Sequence, residues 1–125
     1  KVMKHLLSWF EIPTTDLDRA AKFYSELLEA EVKPVQYGPY PMAFFPWSDD
    51  INIGGALVTG EEGKPSADGV VIYFHAGDEL TPMLERAEKA GGKVVMPKTK
   101  ISDEVGYIAK FTDTEGNTIA LHSKK

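Results

Sequence analysis

An extended segment, a helix and three more extended segments follow one another twice along this chain, and no other feature restricts the fold as tightly. In the first pass residues 6–12 read as a strand and Pro13-Thr14-Thr15 as a turn. Asp16 is then placed to cap a helix running from about Leu17 to Glu29, because its carboxylate can accept from the free N–H groups of the first turn. Leu17, Ala20, Ala21, Tyr24, Leu27 and Leu28 recur at three- and four-residue spacing along it and give it one apolar face. Val32–Tyr37, Tyr40–Trp47 and Ile53–Thr59 complete the pass. The second pass opens with Val70–Ala76, uses Asp78 as a second cap, and carries Leu80, Met83, Leu84, Ala87 and Ala90 as its inner helical stripe. Gly91-Gly92 ends that helix, since glycine takes a left-handed conformation without a Cβ penalty. Val94–Pro97, Val105–Thr112 and Thr118–His122 follow, the last two joined by the turn Asp113-Thr114-Glu115-Gly116-Asn117. Sliding the chain by 63 places sets Leu17 on Leu80, Val32 on Val95, Pro34 on Pro97 and Asp16 on Glu79.

Between the passes, GEEGKPSADG at residues 60–69 is polar, rich in Gly and Pro, and without periodicity, which makes it a linker. The boundaries are therefore a first module at about 1–59, the linker at 60–69 and a second module at about 70–125. Each module has one apolar sheet face to bury under its helix. The expected fold is α+β: two tandem βαβββ modules forming a curved, partly open eight-stranded sheet around a cleft. At 125 residues this is one domain with a sizeable core.

Several function classes drop out on composition. Without cysteine there is no disulfide framework, zinc-thiolate site or thiol nucleophile. The net charge is −5 and the 14 basic residues are scattered, which argues against nucleic acid; Lys124 and Lys125 read as a solvated tail. No run reaches the ~20 apolar residues of a membrane span, and KVMKHLLSWFEIP lacks a small-residue cleavage site, so no membrane partner and a cytoplasmic location are expected. Ser8, Ser48 and Ser123 have no G-x-S-x-G context, which leaves nucleophilic hydrolysis without support.

Three stretches, DLDRAAKFYSELL at Asp16–Leu28, AEKAGGKVVMP at Ala87–Pro97 and FTDTEGNTIALHS at Phe111–Ser123, resemble motifs of the vicinal oxygen chelate superfamily, which contains glyoxalase I, bleomycin-resistance proteins and extradiol dioxygenases. The resemblance implies the two-module fold and usually a dimer. In metal-using members it implies four ligands, mostly His and Glu, on the first and last strands of each module, a set suited to mid-first-row divalent ions. Carried over by spacing, the first position is Trp9, the third Ile72 and the fourth Ala120; the second falls within Ile53–Val58, which has neither carboxylate nor imidazole. None of these can hold a divalent ion. No cofactor is expected, and a divalent metal enters only in the alternative reading below.

Strand alternation puts Trp9 and Glu11 on one face, with Leu7 and His5 before them. Trp9 reads as a stacking surface for a planar ligand or as a filler of the space a metal would take. Glu11 reads as a general base among apolar neighbours or as a paired carboxylate at the rim. His122 lies two residues after Ala120, in phase with it, and with Glu11 forms the preferred polar pair; its plain alternative is a strand histidine bonded to backbone. Phe45 with Trp47, Ile72 with Phe74, and Tyr107 with Phe111 share phases and are expected to line the cleft, with core or dimer contact the plain alternative for each aromatic, while His75 is expected to face the helix layer or its rim. The expected function is metal-free binding of a small organic molecule in an aromatic-lined cleft of a homodimer. The alternative is a glyoxalase, isomerase or lyase-type enzyme, with an atypical metal set such as His5, Glu11 and His122 or with metal-free proton transfer by Glu11 and His122.

Overall fold

The first helix starts where its cap demands. In the computed structural model, which describes residues 6–48, 53–60 and 63–125, Asp16 Oδ1 accepts from the Arg19 N–H at 3.0 Å and α1 runs over Leu17–Leu28. Ala20, Ala21, Phe23, Tyr24 and Leu27 are buried along it. The second helix, α2, spans Thr81–Lys89 and begins differently from expectation. Its cap position is Leu80, which has no polar side chain, and the Glu79 carboxylate accepts from the Thr81 N–H instead of Asp78 doing so. Lys98 donates to the same Glu79 oxygen at 2.6 Å. This pairing, then the Thr81 hydroxyl and N–H, hold the Glu79 carboxyl down to about 2.

The strands are β1 (Trp9–Thr14), β2 (Pro34–Tyr37), β3 (Tyr40–Phe44), β4 (Gly54–Thr59), β5 (Ile72–His75), β6 (Lys93–Ser102), β7 (Gly106–Thr112) and β8 (Thr118–Ser123). They form two four-stranded sheets with the same internal order, β1-β4-β3-β2 and β5-β8-β7-β6. In each sheet the first strand pairs parallel with the last, and the remaining pairs are antiparallel. The repeat seen in the sequence is thus a repeat of topology, and the α+β two-module fold stands. Two of the boundaries that move do so at a proline on an edge strand, where a missing N–H is tolerated. The expected turn at Pro13-Thr14 is the end of β1, and β6 passes through Pro97 by shifting register between Met96 and Thr99.

One core joins the modules. Ile12, Leu57 and Phe45 from the first sheet, Phe111, Ile119 and Leu121 from the second, and Phe23, Tyr24 and Leu27 of α1 belong to a single buried cluster. Phe23 stacks at 5.9 Å on Phe111, and Tyr24 at 6.3 Å on Phe74. The inner sides of both sheets therefore face the helices, and the outer sides are left open. Among the described residues no helix is long and apolar enough to cross a membrane.

The turn between β7 and β8 locks this core shut. Glu115, whose side chain is fully buried, accepts from the N–H groups of Thr15 and Asp16, the Thr15 hydroxyl, and the guanidinium of Arg19 at 2.7 Å. Asp113 accepts from the buried Tyr24 hydroxyl at 2.6 Å and from the N–H groups of Glu115 and Asn117. Asn117 donates to the Pro13 carbonyl and accepts from the Ser66 N–H, so the linker is fastened to the same turn. Burial, with Asp113 beside it, pushes the Tyr24 phenol well above its ordinary range. For Glu115 burial acts upward, but the Arg19, Asp16 and Thr15 hydrogen bonds outweigh it and bring the carboxyl from 4.5 down to about 2.

Because the folded carboxyl of Glu115 titrates below its unfolded value, its contribution is complete above about 4.5 and is lost as pH falls through about 2. Discounted for the half-exposed Arg19 partner, it is on the order of 2–3 kcal/mol. Glu115→Gln is expected to be less stable by about that amount in urea unfolding at pH 7. The gap to the parent protein should narrow between pH 5 and pH 2; a gap constant over that range would refute the assignment.

Candidate functional site

Register decides what the outer side of the first sheet displays. β1 and β4 pair Trp9 with Gly54 and Glu11 with Ala56, and β3 sets Phe44 opposite Ala56. Trp9, Glu11, Gly54, Ala56 and Phe44 consequently share the outer side, while Phe10, Ile12 and Leu57 point to the core. Trp9 meets Phe44 edge to face at 6.1 Å and donates its indole N–H to Glu11 Oε2 at 3.2 Å. A Cβ on Gly54 would come within 3.0 Å of the Trp9 ring and 3.1 Å of the Trp47 ring. The two indoles thus converge over a backbone that carries no side chain. The result is an open depression of about 280 Å³ lined by Trp9, Phe44, Phe45, Trp47, Gly54 and Gly55. Trp9 and Trp47 remain 43% and 61% exposed, so their rings are presented to solvent and not consumed by the core.

The second sheet presents a different surface. β5 and β8 pair Tyr73 with Ala120 and His75 with His122, and β7 sets Ile108 opposite His122. These side chains share the outer side, and Tyr73, His75, Ile108 and His122 line a depression of about 440 Å³ with Phe74, Ile101 and Val105. The imidazoles of His75 and His122 lie 6.5 Å apart, centre to centre. His122 Nε2 is 2.6 Å from the Val105 carbonyl, so this nitrogen carries the proton and donates.

Several sequence expectations about these side chains are corrected. Ile72 packs against the core, Phe74 packs on it and also lines the second depression, and Tyr73 takes the outward position beside Ala120. Counting back from Gly91-Gly92 lands one residue too far, and a one-residue slip exchanges the two faces of a strand. By the same slip His75 faces outward next to His122 and not the helix layer. Phe45 is buried and stacked on Phe10 and Tyr24, yet it also lines the depression of the first sheet beside Trp47. Phe111 is fully buried and Tyr107 packs on the core under the Lys98 ammonium, 4.7 Å from its ring centre, so this pair does not line an outer face. Glu11 is exposed and engaged by Trp9, not set among apolar neighbours. It shares no hydrogen bond with His122, whose recorded partner is Val105. Phe44, Tyr73 and His75 were missed as outer-face residues. Only strand register, which a single sequence does not print, could have found them.

The donor set does not suit a divalent ion. The outward positions on the first and last strands of the modules are Trp9, Gly54 or Ala56, Tyr73 and Ala120. Among the described residues no three His, Asp or Glu side chains converge. His5, named with Glu11 and His122 as an atypical set, lies outside the described residues.

Residues 5–121 match the family model of the Glyoxalase/Bleomycin resistance protein/Dioxygenase superfamily, and the chain belongs to that superfamily. A glyoxylase-like domain-containing protein of Didymella fabae is 33% identical over 123 residues, covering 96% of this chain and 94% of its own. Relatives in Mycobacterium bovis and Mycobacterium tuberculosis are 28% identical over 118 residues, and the match spans only 44% of their length. Among solved structures, a glyoxalase/bleomycin resistance protein from Albidiferax ferrireducens T118 superposes with a TM-score of 0.76 at 20% identity, over 97% of this chain and 100% of that one. TnmS3, an antibiotic binding protein from Streptomyces sp. CB03234, superposes with a TM-score of 0.68 at 21% identity, over 100% and 99%. These two likenesses are of fold.

The neighbouring glycines of β4 should respond differently to a methyl group. A Cβ on Gly55 would stand 2.4 Å from the Phe10 ring on the core side, so Gly55→Ala is expected to lose about 1–3 kcal/mol in thermal or urea unfolding. Gly54→Ala meets only partly exposed indoles and should leave stability nearly intact while changing tryptophan emission. Equal destabilisation by both would contradict the assigned faces.

Proposed function

We propose that the chain is a metal-free member of its superfamily that captures a small organic molecule in an aromatic-walled depression, in the bleomycin-resistance manner. The observation that carries this reading is the replacement of metal donors by Trp9 beside Gly54, with Phe44 and Trp47 closing the walls. Indole and phenyl rings presented edge and face to solvent offer a large apolar contact area at small cost in side-chain entropy. TnmS3 lends support by analogy, because the same fold serves antibiotic binding there. The proposal includes a homodimer: Val35, Tyr37, Tyr40 and Tyr73 leave apolar surface exposed on both sheets, the kind of face a second copy would cover.

A second reading has one observation of its own. Tyr73, His75 and His122 bring two imidazoles and a phenol into the larger depression, a set able to move protons without a metal. That reading keeps the glyoxalase-like lyase or isomerase chemistry and moves it from Glu11 to the second sheet.

Protein purified without chelator is expected to hold far less than one equivalent of nickel, zinc, manganese or iron by elemental analysis, and a stoichiometric ion would overturn the first reading. Trp9→Ala should abolish binding of a flat aromatic probe such as 2-naphthol, and His122→Ala should leave it unchanged. Turnover of a 2-oxoaldehyde hemithioacetal that disappears in His122→Ala would establish the second reading instead.

A further inference from the structure

The outer side of the first sheet carries more than apolar walls. Two rows of paired residues cross it: Trp9 beside Gly54, and Glu11, Ala56 and Phe44 side by side on β1, β4 and β3. The floor is Gly54 and Gly55, which carry no side chain, so a bound group can settle close to the backbone. Around it stand three aromatic rings. At one end of the second row is the exposed Glu11 carboxylate, whose Oε2 accepts from the Trp9 N–H and thereby fixes the indole plane. Glu11 Oε1 has no partner among the described residues. Among the described residues no Lys or Arg lines the depression, and the whole chain is acidic, with a net charge of −5.

Aromatic faces attract cations through the ring quadrupole, and a carboxylate at the rim adds a formal opposite charge. An inorganic ion would keep its water in so apolar a place. An alkylated ammonium carries little bound water and gains from the apolar contact as well as from the charge. Resting on the reading of this depression as the ligand site, we infer that the ligand class is an organic cation, an amine or quaternary ammonium. Its charged carbon–nitrogen group sits over Gly54 and Gly55 between Trp9, Phe44 and Trp47, with Glu11 as counter-ion. Glu11 is then a specificity-determining residue, and its hydrogen bond to Trp9 couples the charge to the geometry of the cage.

Both tryptophans of the chain, Trp9 and Trp47, stand at this depression, so their emission reports its occupation. The probes are choline and 3,3-dimethylbutan-1-ol, which have the same shape and differ in charge, with 2-naphthol as a neutral aromatic. Choline is expected to change the emission at about tenfold lower concentration than its neutral isostere, with the preference shrinking at high salt. Glu11→Gln keeps an acceptor for the indole N–H and removes the charge, so it should erase most of the preference without altering binding of the alcohol or of 2-naphthol. Trp9→Ala should lose all three. Equal affinities for choline and the alcohol, or a preference that survives Glu11→Gln, would overturn the inference. If 2-naphthol still bound through Trp9 in that case, the ligand-site reading would stand alone; if no probe bound, both would fall.

Discussion

A buried carboxylate on the turn between the last two strands is the constraint on which the rest of the molecule depends. Glu115 satisfies two backbone N–H groups and a hydroxyl just before the first helix, and a guanidinium on its first turn. These are donors that the helix start cannot satisfy from within itself. Beside it, Asp113 and Asn117 bind the Tyr24 hydroxyl and the Pro13 carbonyl. Polar groups so deeply placed would be costly if unpaired, and no buried side-chain polar atom among the described residues lacks a partner. The turn therefore fixes how the second module sits on the first, and with it which sides of the two sheets remain open.

Much of this was legible in the sequence, because it depends on local chemistry. Asp16 announces a helix start, the three- and four-residue spacing of Ala20, Tyr24 and Leu27 announces its buried face, and the recurrence of the element order announces two modules. The β-strand edges were less legible, since Pro13 and Pro97 read as interruptions and are in fact tolerated on edge strands. Asp78 looked as good a cap as Asp16, yet Glu79 performs that task because Lys98 on β6 stabilises its charge from across the chain.

The candidate site was only half readable for a related reason. Trp9 could be placed by its spacing from Asp16, and His122 by its distance from Asp113, since each anchor stands within five residues of the strand concerned. Ile72 could not, because a side chain's face in a strand reverses with each residue and the count back from Gly91 crossed a helix and the loop before it. Nor does a sequence show that Gly54 will lie beside Trp9 and beneath Trp47. Yet that adjacency turns two separate aromatic residues into one concave surface. The two sheets, alike in topology, consequently offer unlike outer surfaces: indole and carboxylate on one, imidazole and phenol on the other.

The clamp at Glu115 also has a temporal consequence. Its partners at Thr15, Asp16 and Arg19 are 96 to 100 positions away in the chain, so during translation the first helix emerges from the ribosome long before the group that completes its N-terminus. Until then the nascent first module has open donors at its helix start and bare apolar surface on Phe23 and Tyr24. Native closure must await the final hairpin. A chain built this way is committed to folding late and as a whole, however independent its two halves look on paper.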